Sequence, residues 1–458
     1  MSSESRDAGH DTESSALAVP DFGNEVERLI PRVTAGSMQR RGTLARVVGL
    51  TLEARGITAP VGSQCVVEAS NGRQIEAEVV GFHDDTLYLM PFHDAAGASP
   101  GAAVRVVGSA STVMLGDALL GRVIDGLGRP LDGKPAPDCR DPVGLQGMPL
   151  NPMERGPIRD VIDTGVRAVN GLLTMGRGQR IGLIAGSGVG KSVLLGMMTR
   201  YTNADIVVIG LIGERGREVQ EFITESLGEE GLARSVVVAA PANVSAVQRL
   251  KAAHLAHVIA EYHRDAGRHV LLLLDSLTRV AHAQREIGLA IGEPPASKGY
   301  PPSVFSLLPN LIERTGVGRG GHGSITAIYT VLAEGDDRAD PIVDIARASL
   351  DGQVMLSRAL ADAAHYPAID LAGSVSRVAQ SIVPTEQMRV ANRFRRLWTL
   401  YQQNADLIQV GAYQAGTNPE LDEAIRRRSE LEAFLRQDMH ERADYLSTQS
   451  EMLKVMGG

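Results

Sequence analysis

Hydrophobic positions along this chain follow two different rhythms. Between residues 38 and 109 they come in short runs broken by turn residues: TLARVVGLTLEA (43–54), SQCVVEA (63–69), QIEAEVVGFH (74–83), TLYLMPF (86–92) and AVRVVG (103–108). Asn71-Gly72 marks one of the breaks. Short strands at close, even spacing with glycine-containing turns predict a small all-β barrel. From 155 to 385 the runs become nearly continuous and β-branched: RIGLIA (180–185), DIVVIGLI (205–212), SVVVAA (235–240), HVLLLLD (269–275), SITAIYTVLA (324–333) and QVMLS (353–357), with helical segments between them. Strands that lack a polar face are buried on both sides, so this stretch predicts an α/β domain with a helix-covered parallel sheet. Residues 386–458 are charged and helical in pattern, which predicts a helical domain. Its Arg426, Arg427 and Arg428 read as a solvated helix face.

Two segments lie outside these rhythms. Residues 110–154 are rich in Gly and Pro and read as a linker. Residues 1–37 read as a polar, acidic tail without a signal-peptide core, followed by a short amphipathic stripe (Phe22, Val26, Leu29, Ile30) that Pro31 interrupts. The stripe either packs on its own domain or docks a partner or lipid surface.

Composition narrows the function classes. The 458 residues suit about three domains. A net charge of −8 disfavours a broad nucleic-acid-binding surface. Cys65 and Cys139 are far apart and match no zinc spacing or disulfide framework, so they read as ordinary thiols of a reducing cytoplasm. No run approaches the length of a membrane span, so a cytoplasmic protein with at most peripheral membrane contact is expected.

The chemistry starts at Ala185-Gly186-Ser187-Gly188-Val189-Gly190-Lys191-Ser192, between an apolar run and a helical stretch. This is a phosphate-binding loop with Ala185 in place of the first glycine. Its backbone N–H groups can ring phosphate oxygens at the positive end of the following helix. Lys191 reaches the β and γ phosphates of ATP, and the Ser192 hydroxyl is a ligand for Mg²⁺. Asp275 ends an apolar strand downstream, where ligands of parallel sheets bind, and suits the Mg²⁺ shell through water. Glu214, in GERGRE (213–218), ends another such strand and can orient the attacking water; Glu218 is the rival base, or a salt-bridge partner.

These residues sit in longer motifs. GRVIDGLGRPLDG (121–133), YTNADIVVIGLIGERGREV (201–219), DSLTRVAHAQREIGLAIGEPPASKGYPPSVFSLLPNLIERTG (275–316), TVLAEGDDRADPI (330–342) and HYPAID (365–370) resemble the ATPases of type III protein export. They look more like the flagellum-specific branch than the injectisome branch. That family is related to the catalytic subunits of rotary ATP synthases, and the match runs over roughly residues 120 to 420. Val280 and Gln353 depart from it, where an aromatic residue and a histidine are usual.

The resemblance implies a RecA-like central domain and a homohexameric ring that hydrolyses ATP. It makes Lys191 and Glu214 catalytic, with Arg215 a nearby phosphate or carboxylate partner. It also makes Arg377 an arginine finger on a neighbour's nucleotide. Tyr366 and Tyr413 become adenine-stacking candidates, unless they are half-buried core residues. The loop 292–303 would face a central channel, unless it is a rigid surface loop. The partners implied are a peripheral, stator-like regulatory protein at the N-terminus, a central coiled-coil stalk, export substrates with their chaperones, and the export gate at the inner membrane.

Three rivals remain. An RNA-translocating helicase should carry stacking aromatics and a basic barrel, yet residues 38–109 hold only Phe82, Tyr88 and Phe92 as aromatics. A noncatalytic nucleotide-binding subunit should lack Glu214. The injectisome ATPase is the nearest rival.

Overall fold

The computed structural model describes residues 41–109, 112–147, 150–333 and 340–457. The tail and the amphipathic stripe of residues 1–37, and part of the 330–342 motif, lie outside the described residues.

Strands β1 (Arg41–Val48), β2 (Thr51–Arg55), β3 (Ser63–Glu68), β4 (Gln74–His83), β5 (Thr86–Pro91) and β6 (Ala103–Ser109) close into a barrel in the order β1-β2-β5-β4-β3-β6. The two-residue period explains its interior. Along β4, Ile75, Ala77 and Val79 point inward, and they pack against Leu44, Leu52, Val67 and Leu89. Cys65 is buried in this core, and both cysteines are free.

The next stretch is more structured than a linker. Here β7 (Thr112–Leu115) pairs with β9 (Asp141–Gly144), and β8 (Arg122–Ile124) adds a parallel edge strand to the central sheet. A three-residue strand between glycines is too short to show a period, which is why it reads as linker. It is fixed sideways instead: Arg122 makes a fork to Asp132 at 2.7 and 3.0 Å.

The central sheet is built from β10 (Arg180–Ala185), β11 (Ile206–Ile212), β12 (Ser235–Ala240), β13 (His269–Asp275), β14 (Gly316–Val317), β15 (Ser324–Leu332), β16 (Gly352–Leu356) and β17 (Ile369–Ser376). With β8 the order is β17-β16-β10-β15-β13-β11-β12-β8, and β14 pairs with β15. All neighbours are parallel except β17, antiparallel to β16, and β14, antiparallel to β15. β17 is absent from the predicted runs because its alternating burial marks an edge strand with one wet face. Helices cover both sheet faces, giving two apolar layers, one around Leu183, Ile209 and Leu273 and the other around Val208, Leu272 and Tyr329.

The C-terminal helices Thr385–Gln403, Pro419–Leu435 and Tyr445–Met456 pack Phe394, Trp398, Phe434 and Met452 onto the first layer. Of its arginine cluster, Arg427 is tied down, to Glu423 at 3.0 Å and the Val455 carbonyl at 2.7 Å. The barrel rests on the central domain through a Lys251–Glu78 pair at 2.7 Å and through Met90 and Phe92 packed on Val247 and Ile287. No helix among the described residues is long and apolar enough to cross a membrane.

One buried ion pair fastens the stretch after β9. Arg314 grips Glu261 with two bonds of 2.8 Å while also donating to the Leu145 carbonyl. Side-chain exposures of 6% and 9% leave no water to replace a lost partner. Glu261→Ala is therefore expected to destabilise the central domain by about 3–5 kcal/mol, as breaking a buried pair does. Chemical denaturation checks this, and an unchanged midpoint would count against it.

Candidate active site

A parallel sheet buried on both faces has no room for charge except at its strand ends. Three of those ends converge here. β10 and β13 both flank β15, and β11 flanks β13, so Ala185, Asp275 and Ile212 finish their strands side by side.

The loop after β10 is held by Val189, which is buried, while Ser187 and Gly188 are exposed. Gly188 and Gly190 have φ of 74° and 86°, left-handed values that favour glycine. Gly190 then caps the helix Lys191–Tyr201, leaving the first N–H groups of that helix facing the loop. Ser192 is exposed at its first turn.

The Lys191 ammonium lies 2.6 Å from Asp275 Oδ1 and 3.4 Å from Glu214 Oε1. Burial opposes its charge, but the two carboxylates outweigh that and hold its pKa above the ordinary lysine value. Glu214 is pushed up to about 7, first by burial and then by the negative charge of Asp275, with Lys191 pulling the other way. Asp275 is steadied by Thr330, whose hydroxyl donates to Oδ1 at 2.6 Å. Gly213 places Glu214 with φ of 71°, and a Cβ there would meet the Arg279 side chain at 2.8 Å.

The remaining candidates divide into two groups. Tyr366 belongs to the loop, since its ring atoms would lie 3.3–3.4 Å from a Cβ on Gly190, and the residue is 45% exposed. Arg215 caps the helix Gly216–Glu221, and its exposed side chain faces Glu218 at 3.6 Å. Tyr413 instead organises a turn, with its hydroxyl 2.9 Å from Asp422 and accepting from the Asn418 N–H at 3.2 Å.

Arg377 is far from its own loop. β17 runs antiparallel, and the Arg377 N–H donates to the Asp351 carbonyl, which sits beside Arg180 at the start of β10. The loop follows the other end of β10, five strand steps or about 16 Å away.

Three residues of the site do not stand out in the sequence. Thr330 hides in a run that also carries the hydroxyls of Ser324, Thr326 and Tyr329, so nothing local singles it out. Arg279 packs its stem over Gly213, and Arg358 donates to the Ser187 carbonyl. Val280 is fully buried beneath the site, so the departure there is a matter of packing.

No group of three or more His, Cys, Asp or Glu able to hold a metal occurs among the described residues. The Ser192 hydroxyl and the Asp275 carboxylate still suit Mg²⁺, which takes one or two oxygens from protein and completes its shell with phosphates and water.

Comparison with known proteins follows this geometry. Residues 165–376 match the model of the ATP synthase alpha/beta family, nucleotide-binding domain. Residues 44–108 match the beta-barrel domain of that family, and 383–454 match the T3SS EscN ATPase C-terminal domain. The chain is similar to the flagellum-specific ATP synthase of Pseudomonas aeruginosa, 56% identical over 420 residues that cover 91% of this chain and 93% of that protein. It superposes on the assembled ATPase EscN from the enteropathogenic E. coli type III secretion system with a TM-score of 0.86 and 44% identity, over 91% of this chain and 100% of that one. EscN in complex with its central stalk EscO gives 0.84 and 42%, with the same coverage. Barrel, phosphate-loop domain and helical domain thus each find their counterpart, and the chain belongs to the ATP synthase alpha/beta family, in the type III export branch that includes the flagellum-specific ATPases.

Proposed function

We propose that this protein hydrolyses ATP to ADP and phosphate within a flagellar type III export apparatus, coupling the reaction to release or unfolding of exported proteins. The observation that carries the chemistry is the meeting of Lys191, Glu214 and Asp275 where β10, β13 and β11 end at one edge of the sheet, beside a glycine-rich loop. The flagellar assignment draws on the 56% identity to a flagellum-specific relative, against 48% to a type 3 secretion system ATPase.

The loop N–H groups and Lys191 bind the β and γ phosphates, and Tyr366, exposed beside Gly190, stacks on adenine. Tyr413 is the weaker candidate, because its hydroxyl is committed to the turn at Asp422. Ser192 and Asp275 would hold Mg²⁺, which when bound neutralises charge on the β and γ oxygens. When phosphate draws Lys191 away from the carboxylates, Glu214 is left to accept a hydrogen bond from water and orient it. Arg215, exposed on the same turn as Glu214, is the further candidate partner for a phosphate or carboxylate.

Arg377 lies at the wrong end of its own sheet for its own phosphate loop, which favours action on a neighbouring copy. A homohexameric ring around a central stalk provides such a neighbour, in keeping with the similarity to EscN, which is assembled and in complex with its central stalk EscO. A regulatory protein at the N-terminal segment, substrates with chaperones, and the membrane export gate complete the proposed partners.

Three measurements test this. Lys191→Ala is expected to abolish both MgATP binding and phosphate release, whereas Glu214→Gln keeps binding and loses turnover; near-normal turnover in Glu214→Gln would hand the role to Glu218. Because Glu214 must be ionised to act and titrates near pH 7, kcat/KM should rise with pH through about 7. A profile still flat well below that pH would exclude Glu214 as the base. Finally, mixing Lys191→Ala with Arg377→Ala should restore partial activity, since mixed rings pair an intact loop with an intact finger. Arg377→Ala alone should lose about 10³–10⁵ in rate. No recovery in proven mixed hexamers would argue against action between subunits.

A further inference from the structure

The end of β17 is held by a small network of which the proposed chemistry uses only Arg377. Strand β17 bulges against β16 between the partners of Gln353 and Met355. Gln353 spans that bulge: its side-chain N–H donates to the Gly373 carbonyl at 2.8 Å, and its Oε1 accepts from Arg347 Nε at 3.0 Å. Arg347 lies in the last turn of the helix Pro341–Ser349, and its guanidinium also reaches Met355 Sδ at 3.8 Å. Carbonyls in that last turn have no partner within the helix and attract cations. The Arg347 carbonyl takes its hydrogen bond from the Arg377 guanidinium, at 3.3 Å. Arg347, Gln353, Met355, Gly373, Val375 and Arg377 together line an open pocket of about 340 Å³.

We infer that Gln353 is a positioning residue for Arg377. It ties the bulged strand that carries the finger to the helix whose last-turn carbonyl, that of Arg347, receives it. The amide is suited to this because it donates to one side and accepts from the other at the same time. Among the described residues no hydrogen bond joins Gln353, Arg347 or Arg377 to the phosphate loop of the same chain, although Arg347 and Met355 share a neighbouring pocket with Ala185 and Gly186; through Arg377, Gln353 would act on the nucleotide of the next subunit. The inference rests on the reading of Arg377 as an intersubunit finger.

The test uses full-length hexamers. Gln353→Leu keeps the volume and removes both bonds, so kcat should fall on the order of 10²-fold, as displacement of a catalytic group does. KM for ATP should stay close to that of the unaltered protein. Added to Arg377→Ala, Gln353→Leu should cost nothing further, because the group it positions is already gone. Mixing Gln353→Leu with Lys191→Ala should raise turnover per Gln353→Leu chain, since the Lys191→Ala subunits supply well-placed fingers. A merely structural role would leave that mixture unimproved and make the double variant worse than Arg377→Ala, and either result overturns the inference. Full activity in Gln353→Leu alongside a dead Arg377→Ala would also overturn it. Full activity in Arg377→Ala would instead remove the finger reading itself. Should Gln353→Leu fail to assemble, Arg347→Lys keeps the charge, loses the fork to Gln353 and Met355, and carries the same expectations.

Discussion

The arrangement of this molecule depends on a buried ammonium group. Lys191 is largely removed from water, and a lone charge there would cost several kcal/mol. Asp275 and Glu214 offset that cost, and they can do so only because β13 and β11 end level with the phosphate loop. Thr330 then satisfies Asp275 from β15, the strand between β10 and β13. Strand order, strand length and site electrostatics are thus a single constraint. A shift of one residue in any of these registers would leave an uncompensated charge.

The same cluster prepares the chemistry proposed for it. Burial first, and the negative charge of Asp275 second, push Glu214 up to about 7 in spite of the nearby ammonium. A carboxylate of that kind can exchange a proton at physiological pH, as general base chemistry requires. Lys191 is a mobile counter-charge on a flexible stem, and a phosphate competes for it with the carboxylates.

Arg377 meets the opposite geometric fate. Because β17 is antiparallel to its neighbour, the chain reverses and exits at the foot of the sheet. The polarity of one edge strand thereby separates two residues of one proposed mechanism. In the proposed ring, each subunit offers its loop at one face and its arginine at another.

Much of this was legible in the residues alone. Short, evenly spaced runs broken by glycine turns announce the barrel and continuous apolar runs announce the parallel sheet, because strand length and burial on both faces leave their mark directly in the sequence. The phosphate loop is equally local: glycines at left-handed φ, a lysine and a hydroxyl must be consecutive to surround a phosphate. Glu214 and Asp275 are visible as carboxylates that terminate apolar strands. The short strand β8 and the edge strand β17 were not legible as strands, since one is too brief for a period and the other is half wet. Thr330, Arg358 and the Gln353–Arg347 bridge were silent too. Their roles come from neighbours far away in sequence, and a hydrogen bond between distant residues leaves no periodic trace. The chain by itself determined which chemically capable groups are available; tertiary structure alone decided which of them meet, because strand order and direction are set by the packing of the whole sheet.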